Sequence, residues 1–167
     1  MEKMSDHPEL REFFENVDHA DIKNIDAERC LRTFIAGMLS YYPPWLVLLY
    51  KVRQILVALL GLARHEEPDT LPSFRPEDIP FAPEERISFF IVKKAQEDRF
   101  WVAETPEDKH LKAYVAIAAQ RIESGATRFR VATTVRYLHW TGPVYFNLIR
   151  PFHHLVVWEM MKAGARS

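Results

Sequence analysis

Two long stretches, 109–122 and 126–139, alternate apolar and polar residues and meet at Glu123-Ser124-Gly125. No other feature limits the fold so tightly. On the first stretch Leu111, Ala113, Val115, Ile117 and Ala119 share a face. On the second, Phe129, Val131, Val135 and Tyr137 share one, with arginines 128, 130 and 136 opposite. A two-residue Ser124-Gly125 loop would set Leu111 beside Leu138 and turn Val115 onto the arginine face. A three-residue loop, Glu123-Ser124-Gly125, makes the two apolar faces coincide. A buried face dictates register, so the three-residue loop is expected, with Gly125 taking the left-handed conformation that such a loop demands.

The same period-2 character begins at Arg86. Strands are predicted near 86–94, 99–105, 109–122 and 126–139, joined by the short turns AQED, PED and ESG. Connections this tight specify an antiparallel meander. Upstream, residues 17–25 read as a first strand after a flexible segment, 1–16. Asp26 stands where it can cap a helix, and Leu31, Phe34, Ile35, Met38 and Leu39 recur at helical spacing as its buried face. Pro43-Pro44 ends that helix and starts another, which Gly61 helps to close. A last helix spans about 143–164. Strand, two helices, meander and helix make an α+β order, with an antiparallel curved sheet gripping a long carboxy-terminal helix. Residues 17–167 are expected to form one domain.

Between the second helix and the meander lie prolines 68, 72, 76, 80 and 83, with Phe74 and Phe81. A run of this kind is a lid, or a surface wrap whose phenylalanines are pinned to the body. The wrap is the favoured reading, with a short extra strand around Phe74 as a variant. Pro43–Leu62 is apolar enough to raise the question of a membrane span, but Lys51, Arg53 and Gln54 fall at its middle, where charge is most costly in hydrocarbon. A helix buried in protein is expected, with no stable membrane insertion.

Charge and composition narrow the partners. The formal net charge is −1 over 167 residues, so no basic face for a nucleic acid is expected. Cys30 is the single cysteine, which excludes an intrachain disulfide and a cysteine-built metal site. It reads as a small buried residue on the first helix. The opening residues lack the basic start and apolar run of a secretory signal, and a cytoplasmic location is expected. There is no G-x-S-x-G elbow, no H-E-x-x-H pair and no glycine-rich phosphate loop. Asp108 and His110 share a strand face, His139 is placed on the other, and no three-ligand metal site is read. No cofactor is expected.

The stretch LIRPFHHLVVW, residues 148–158, places two histidines in the last helix. With Phe152 at the centre and about 100° per residue, Tyr145, Leu148, Ile149, Leu155, Val156 and Ala163 fall on the buried side. His153 lies on a flank, as a hydrogen-bonded imidazole rather than a ligand or base, and His154 points to solvent. Glu159 falls about 20° from Phe152, inside the apolar stripe, where Arg53 is its candidate partner and a frayed, snorkelling side chain is the alternative.

Pro44-Trp45, Arg53, Gly61-Leu62, Asp108-x-His110-Leu111, Thr133-Thr134-Val135, Tyr145 and Pro151-Phe152-His153 together give a resemblance. The chain resembles a bacterial domain family of unknown function, within or near the START-like (SRPBCC) helix-grip superfamily, which includes lipid-transfer domains and polyketide cyclases. One departure is Gly142-Pro143, where the family pattern has Gly-Arg. The resemblance implies a cavity between sheet and long helix and supplies no catalytic set. Small residues on the inner face agree with a cavity, which is the usual form of a small-molecule site. The expected function is non-catalytic binding of a small apolar or amphipathic ligand by Arg53, Ala113, Val115, Thr133, Val135, Tyr145, Phe152 and Glu159. Two alternatives stand beside it. One is an enzyme of the cyclase or dehydratase kind using polar groups of the cavity. The other is a homodimeric interaction module with Phe146, Trp158 and Met161 on its face.

Overall fold

The computed structural model describes residues 8–59, 73–105 and 110–167, without the side chains of residue 53 and residues 55–59. Gly61 and Asp108 lie outside the described residues, as does the first part of the proline-rich run. The chain begins with a 3-10 helix, Pro8–Phe14, followed by β1 (His19–Ala27), α1 (Leu31–Leu39) and α2 (Pro44–Leu59). After a 3-10 turn at Pro76–Asp78 come β2 (Arg86–Ile87), β3 (Phe90–Gln96), β4 (Phe100–Glu104), β5 (Leu111–Arg121), β6 (Thr127–Tyr137) and α3 (Thr141–Arg166). The six strands form one antiparallel curved sheet in the order β1-β6-β5-β4-β3-β2, with α3 as the long carboxy-terminal helix.

The last hairpin has the expected register. Leu111 pairs with Tyr137 and Arg121 with Thr127. The Ile122 amide donates to Ala126 O at 3.0 Å, leaving a three-residue loop with Gly125 at φ +86°. The strand predicted at 86–94 differs. It folds back at Ser88-Phe89 into two, and Ile87 pairs with Phe90. Ser88 takes φ +54° there, a conformation that alternation alone does not announce.

Both faces of the sheet are covered. On one, Trp101, Ile117, Phe129 and Val131 meet Leu31, Phe34, Ile35 and Met38 of α1, and the Phe34 and Phe129 rings stack at 4.0 Å. On the other, Phe100, Val102, Ala116, Ala118 and Ala132 meet Leu10, Phe13 and Phe14 of the first 3-10 helix. Leu10 is fully buried, and the Thr134 hydroxyl donates to Phe13 O at 3.1 Å. The flexible segment expected at 1–16 is therefore corrected over residues 8–14: three apolar residues among charged neighbours dock on what the sequence assigned to arginines. Arg130 is itself buried there, bonded to Gln120 at 2.7 Å.

Asp26 does not cap α1. It sits in β1 directly opposite Arg128 and pairs with it through two bonds of 2.7 and 2.8 Å. The cap position belongs to Cys30, which is exposed, not buried, and makes no side-chain cap bond. The described part of the proline-rich run is a wrap: Phe74 and Phe81 pack on the core, Ile79 is buried, and Trp101 Nε1 donates to Pro80 O at 2.9 Å. Phe74 forms no strand; its amide donates to Ser40 Oγ at 2.8 Å. Among the described residues no helix is long and apolar enough to cross a membrane.

The seating of α3 is the largest departure. Gly142, Tyr145, Phe146, Val157, Met161 and Gly164 are buried, whereas Phe152, Leu148 and Leu155 are 51%, 49% and 47% exposed. The buried arc is turned roughly 100° from the one centred on Phe152. Two glycines explain the turn. A Cβ on Gly164 would lie 2.5 Å from Phe34 O, and one on Gly142 would lie 2.6 Å from His110 O. Only the glycine side of the helix can approach backbone this closely.

Candidate functional site

In β1, His19, Asp21 and Lys23 alternate, so all three side chains emerge on the face that looks toward α3. Asp21 lies opposite Thr133 and His19 opposite Val135. From the helix, successive residues His153 and His154 complete the group. His153 Nε2 is 3.3 Å from the Thr133 hydroxyl, and His154 Nδ1 is 3.0 Å from Asp21 Oδ2. Lys23 forms an ion pair with Asp21 and comes within 3.1 Å of the same His154 Nδ1. These two contacts on Nδ1 exclude each other: with its proton the nitrogen donates to Asp21, without it the nitrogen accepts from Lys23. His154 is thus bonded into the cluster and not merely solvated, as its place on the wheel suggested. His153 is the hydrogen-bonded imidazole expected.

Burial shapes the protonation of the group. It pulls His153 down to about 4, with the neighbouring His154 adding to the effect, so the imidazole is neutral at pH 7. Burial, then the positive charge of Arg150, lowers His19 as well. For Asp21 burial works against the carboxylate, but the bonds and charges of Lys23 and His154 outweigh it and hold its pKa below the usual range. His19 Nε2 is buried with no hydrogen-bond partner. Its ring lies 4.9 Å from that of Phe146 and 6.0 Å from that of His154.

Four of the residues predicted for a ligand site meet beside this cluster. Val115 pairs with Thr133 and Ala113 with Val135, so they tile two adjacent rows of the sheet. Thr133 and Val135 are buried, while Ala113 and Val115 are partly open. Tyr145 is buried against Leu111 and Ile149, one row further along. The remaining three do not join them. Phe152 is on the exposed arc. Glu159 is bonded to Lys162, one turn on, at 2.5 Å and does not occupy a central apolar position. The Arg53 side chain lies outside the described residues. The homodimer face read from Phe146, Trp158 and Met161 also comes apart, because Phe146 and Met161 are buried and only Trp158 is exposed.

Elsewhere, His110 and His139 come together instead of facing apart. Their rings are 5.4 Å apart edge to face, and both Nδ1 atoms reach the Thr141 hydroxyl, at 2.6 and 3.0 Å. Among the described residues no group of three His, Cys, Asp or Glu is placed to hold a metal ion. A surface hollow lined by Gln120, Arg121 and Arg128 lies at the β5–β6 turn, several rows of the sheet from Asp21 and Thr133. Sequence reasoning passed over Asp21, Lys23 and His19. The signal was present in His19-x-Asp21-x-Lys23, a polar alternation on a strand whose other face carries the buried-side Ile22.

A family described as protein of unknown function, DUF2867, matches residues 13–160. The chain belongs to this family. The DUF2867 match runs from the first 3-10 helix into α3 and takes in every residue of the polar cluster. No curated protein matches the chain. Among solved structures it is similar to a hypothetical protein from Helicobacter pylori, 8% identical, with 93% of each chain covered and a TM-score of 0.44.

Proposed function

We propose that this DUF2867 chain binds a small amphipathic molecule between the sheet and α3. Its polar end is received by His19, Asp21, His153 and Thr133, and its apolar part lies over Ala113, Val115 and Val135. The order of elements, a strand and two helices ahead of a meander and a long helix, supports reading the fold as START-like. One observation carries the binding proposal. The interface of β1 and β6 with α3 holds a buried neutral imidazole, an Asp–Lys–His network and an orphaned histidine nitrogen, where apolar packing would be more stable. Buried polar groups left without partners call for an explanation, and a ligand supplying hydrogen bonds is one.

The test is titration with dodecanoate, an apolar chain with a carboxylate head, followed by calorimetry. Binding by the parent protein, abolished by Val115→Trp, which fills the apolar floor, and weakened by His153→Phe, supports the proposal. A parent that binds none, or binding that Val115→Trp leaves unchanged, contradicts it. A second reading, acid–base catalysis, is favoured by the 3.0 Å contact through which Asp21 orients the His154 ring and leaves Nε2 on its far side.

A further inference from the structure

Helix α3 carries a second apolar face that nothing in the described chain covers. Val144, Leu148, Phe152, Leu155 and Trp158 are between 39% and 52% exposed, and Trp140, just before the helix, is 74% exposed. With aromatic side chains presenting about 150–250 Å² each, half-bare residues of this size amount to roughly 600 Å² of apolar surface. That equals the largest patch a monomer ordinarily shows and approaches the ~800 Å² per partner of a standard interface. Val144, Leu148, Pro151, Leu155 and Trp158 follow a 4-3-4-3 spacing, the period of a seam between paired helices.

We infer that this face is covered by the same face of a second copy of the chain, α3 against α3 in antiparallel orientation about a two-fold axis. The seam is uneven, with its bulkiest member, Trp158, at one end and its smallest apolar member, Val144, at the other. In a parallel pair Trp158 would meet itself and Val144 would face a gap. Reversed, Trp158 of each copy lies over Leu148 of the other, and Leu155 lies against Pro151, so the surface complements itself as a two-fold interface requires. Closing the seam strands no lone charge: Lys162, four residues beyond Trp158 and so over Val144 of the other copy, is already bonded to Glu159. A membrane surface is the poorer occupant. A helix lying in lipid carries a row of Lys and Arg beside its apolar face, whereas the cations on this side of α3 are Lys162, bonded to Glu159, and Arg166 in the last turn.

Sedimentation velocity of the full chain tests this at about 10–100 µM, with Leu155→Glu and Leu155→Lys as paired variants. Leu155 is exposed in the single copy, so neither change removes a packed side chain, and circular dichroism confirms the fold of each. The expected results are a dimer for the parent, a monomer for each variant alone, and a mixed dimer on combining the two, seen at its own mass by native mass spectrometry. Because Leu155 of the two copies lies near the two-fold axis, opposite charges restore the contact there, which no merely structural lesion would permit. A monomeric parent overturns the inference, as does a dimer that Leu155→Glu leaves intact. A monomeric parent that sediments with phosphatidylcholine vesicles assigns the face to lipid instead.

Discussion

His153 sits in the position that separates a site from a core. Its pKa of about 4 in the folded chain lies below the ordinary value of 6.5, so the unfolded chain binds a proton that the folded chain refuses. The stabilising consequence of the neutral ring is fully present above pH 6.5 and is lost as the pH falls from there to about 4. The loss across that window is on the order of 3 kcal/mol. Denaturant titrations at pH 7 and pH 4 should show this slope in the parent and a shallower one in His153→Gln, whose side chain does not titrate. Gly125 gives the second expectation at this scale. Its φ of +86° is left-handed, and Gly125→Ala should lower stability by about 1 kcal/mol through the contact of Cβ with the following carbonyl; nothing else lies within 4 Å of that Cβ to add to the cost. An unchanged denaturation midpoint would count against the conformation.

Elements differ in how far their surroundings could be read from their residues. The register of β5 and β6 was legible because both strands carry one apolar face and a single turn residue with a forced conformation. The seating of α3 was not, because apolar residues surround most of that helix and periodicity cannot choose among them. Gly142 and Gly164 choose, and a glycine adds nothing to an apolar count. Gly164→Ala should therefore cost about 1–3 kcal/mol, since its Cβ would press on the Phe34 backbone and would be 2.8 Å from Met38 Cγ. Thermal unfolding of that variant beside Ala163→Gly distinguishes lost approach from altered helix propensity. The first 3-10 helix was illegible for a different reason. Glu9, Arg11 and Glu12 dilute Leu10, Phe13 and Phe14 to the composition of a loose terminus, yet the three side chains close the second face of the sheet. Leu10→Ala should destabilise by about 2–5 kcal/mol, as for other fully buried leucines, and a chain trimmed through residue 14 should expose the alanine-rich face to an apolar dye. Likewise the polar alternation of β1 resembles a solvent-facing edge until α3 is laid across it.

For the molecule as a whole, the α+β order and the antiparallel sheet follow from turn lengths and periodicity, which are local properties. The site does not, because it joins residues 19–23 to residues 133 and 153–154, and only the tertiary contact brings an edge strand and a terminal helix together. The binding proposed for these residues places a ligand at the boundary between a polar wall and an apolar floor of small side chains. Amide chemical-shift mapping during a dodecanoate titration tests this placement. Progressive shifts are expected, centred on His19, Asp21, Thr133 and His153 and extending to Ala113 and Val115. An absence of shifts, or shifts confined to Leu148, Phe152 and Leu155 on the outer face of α3, would contradict it.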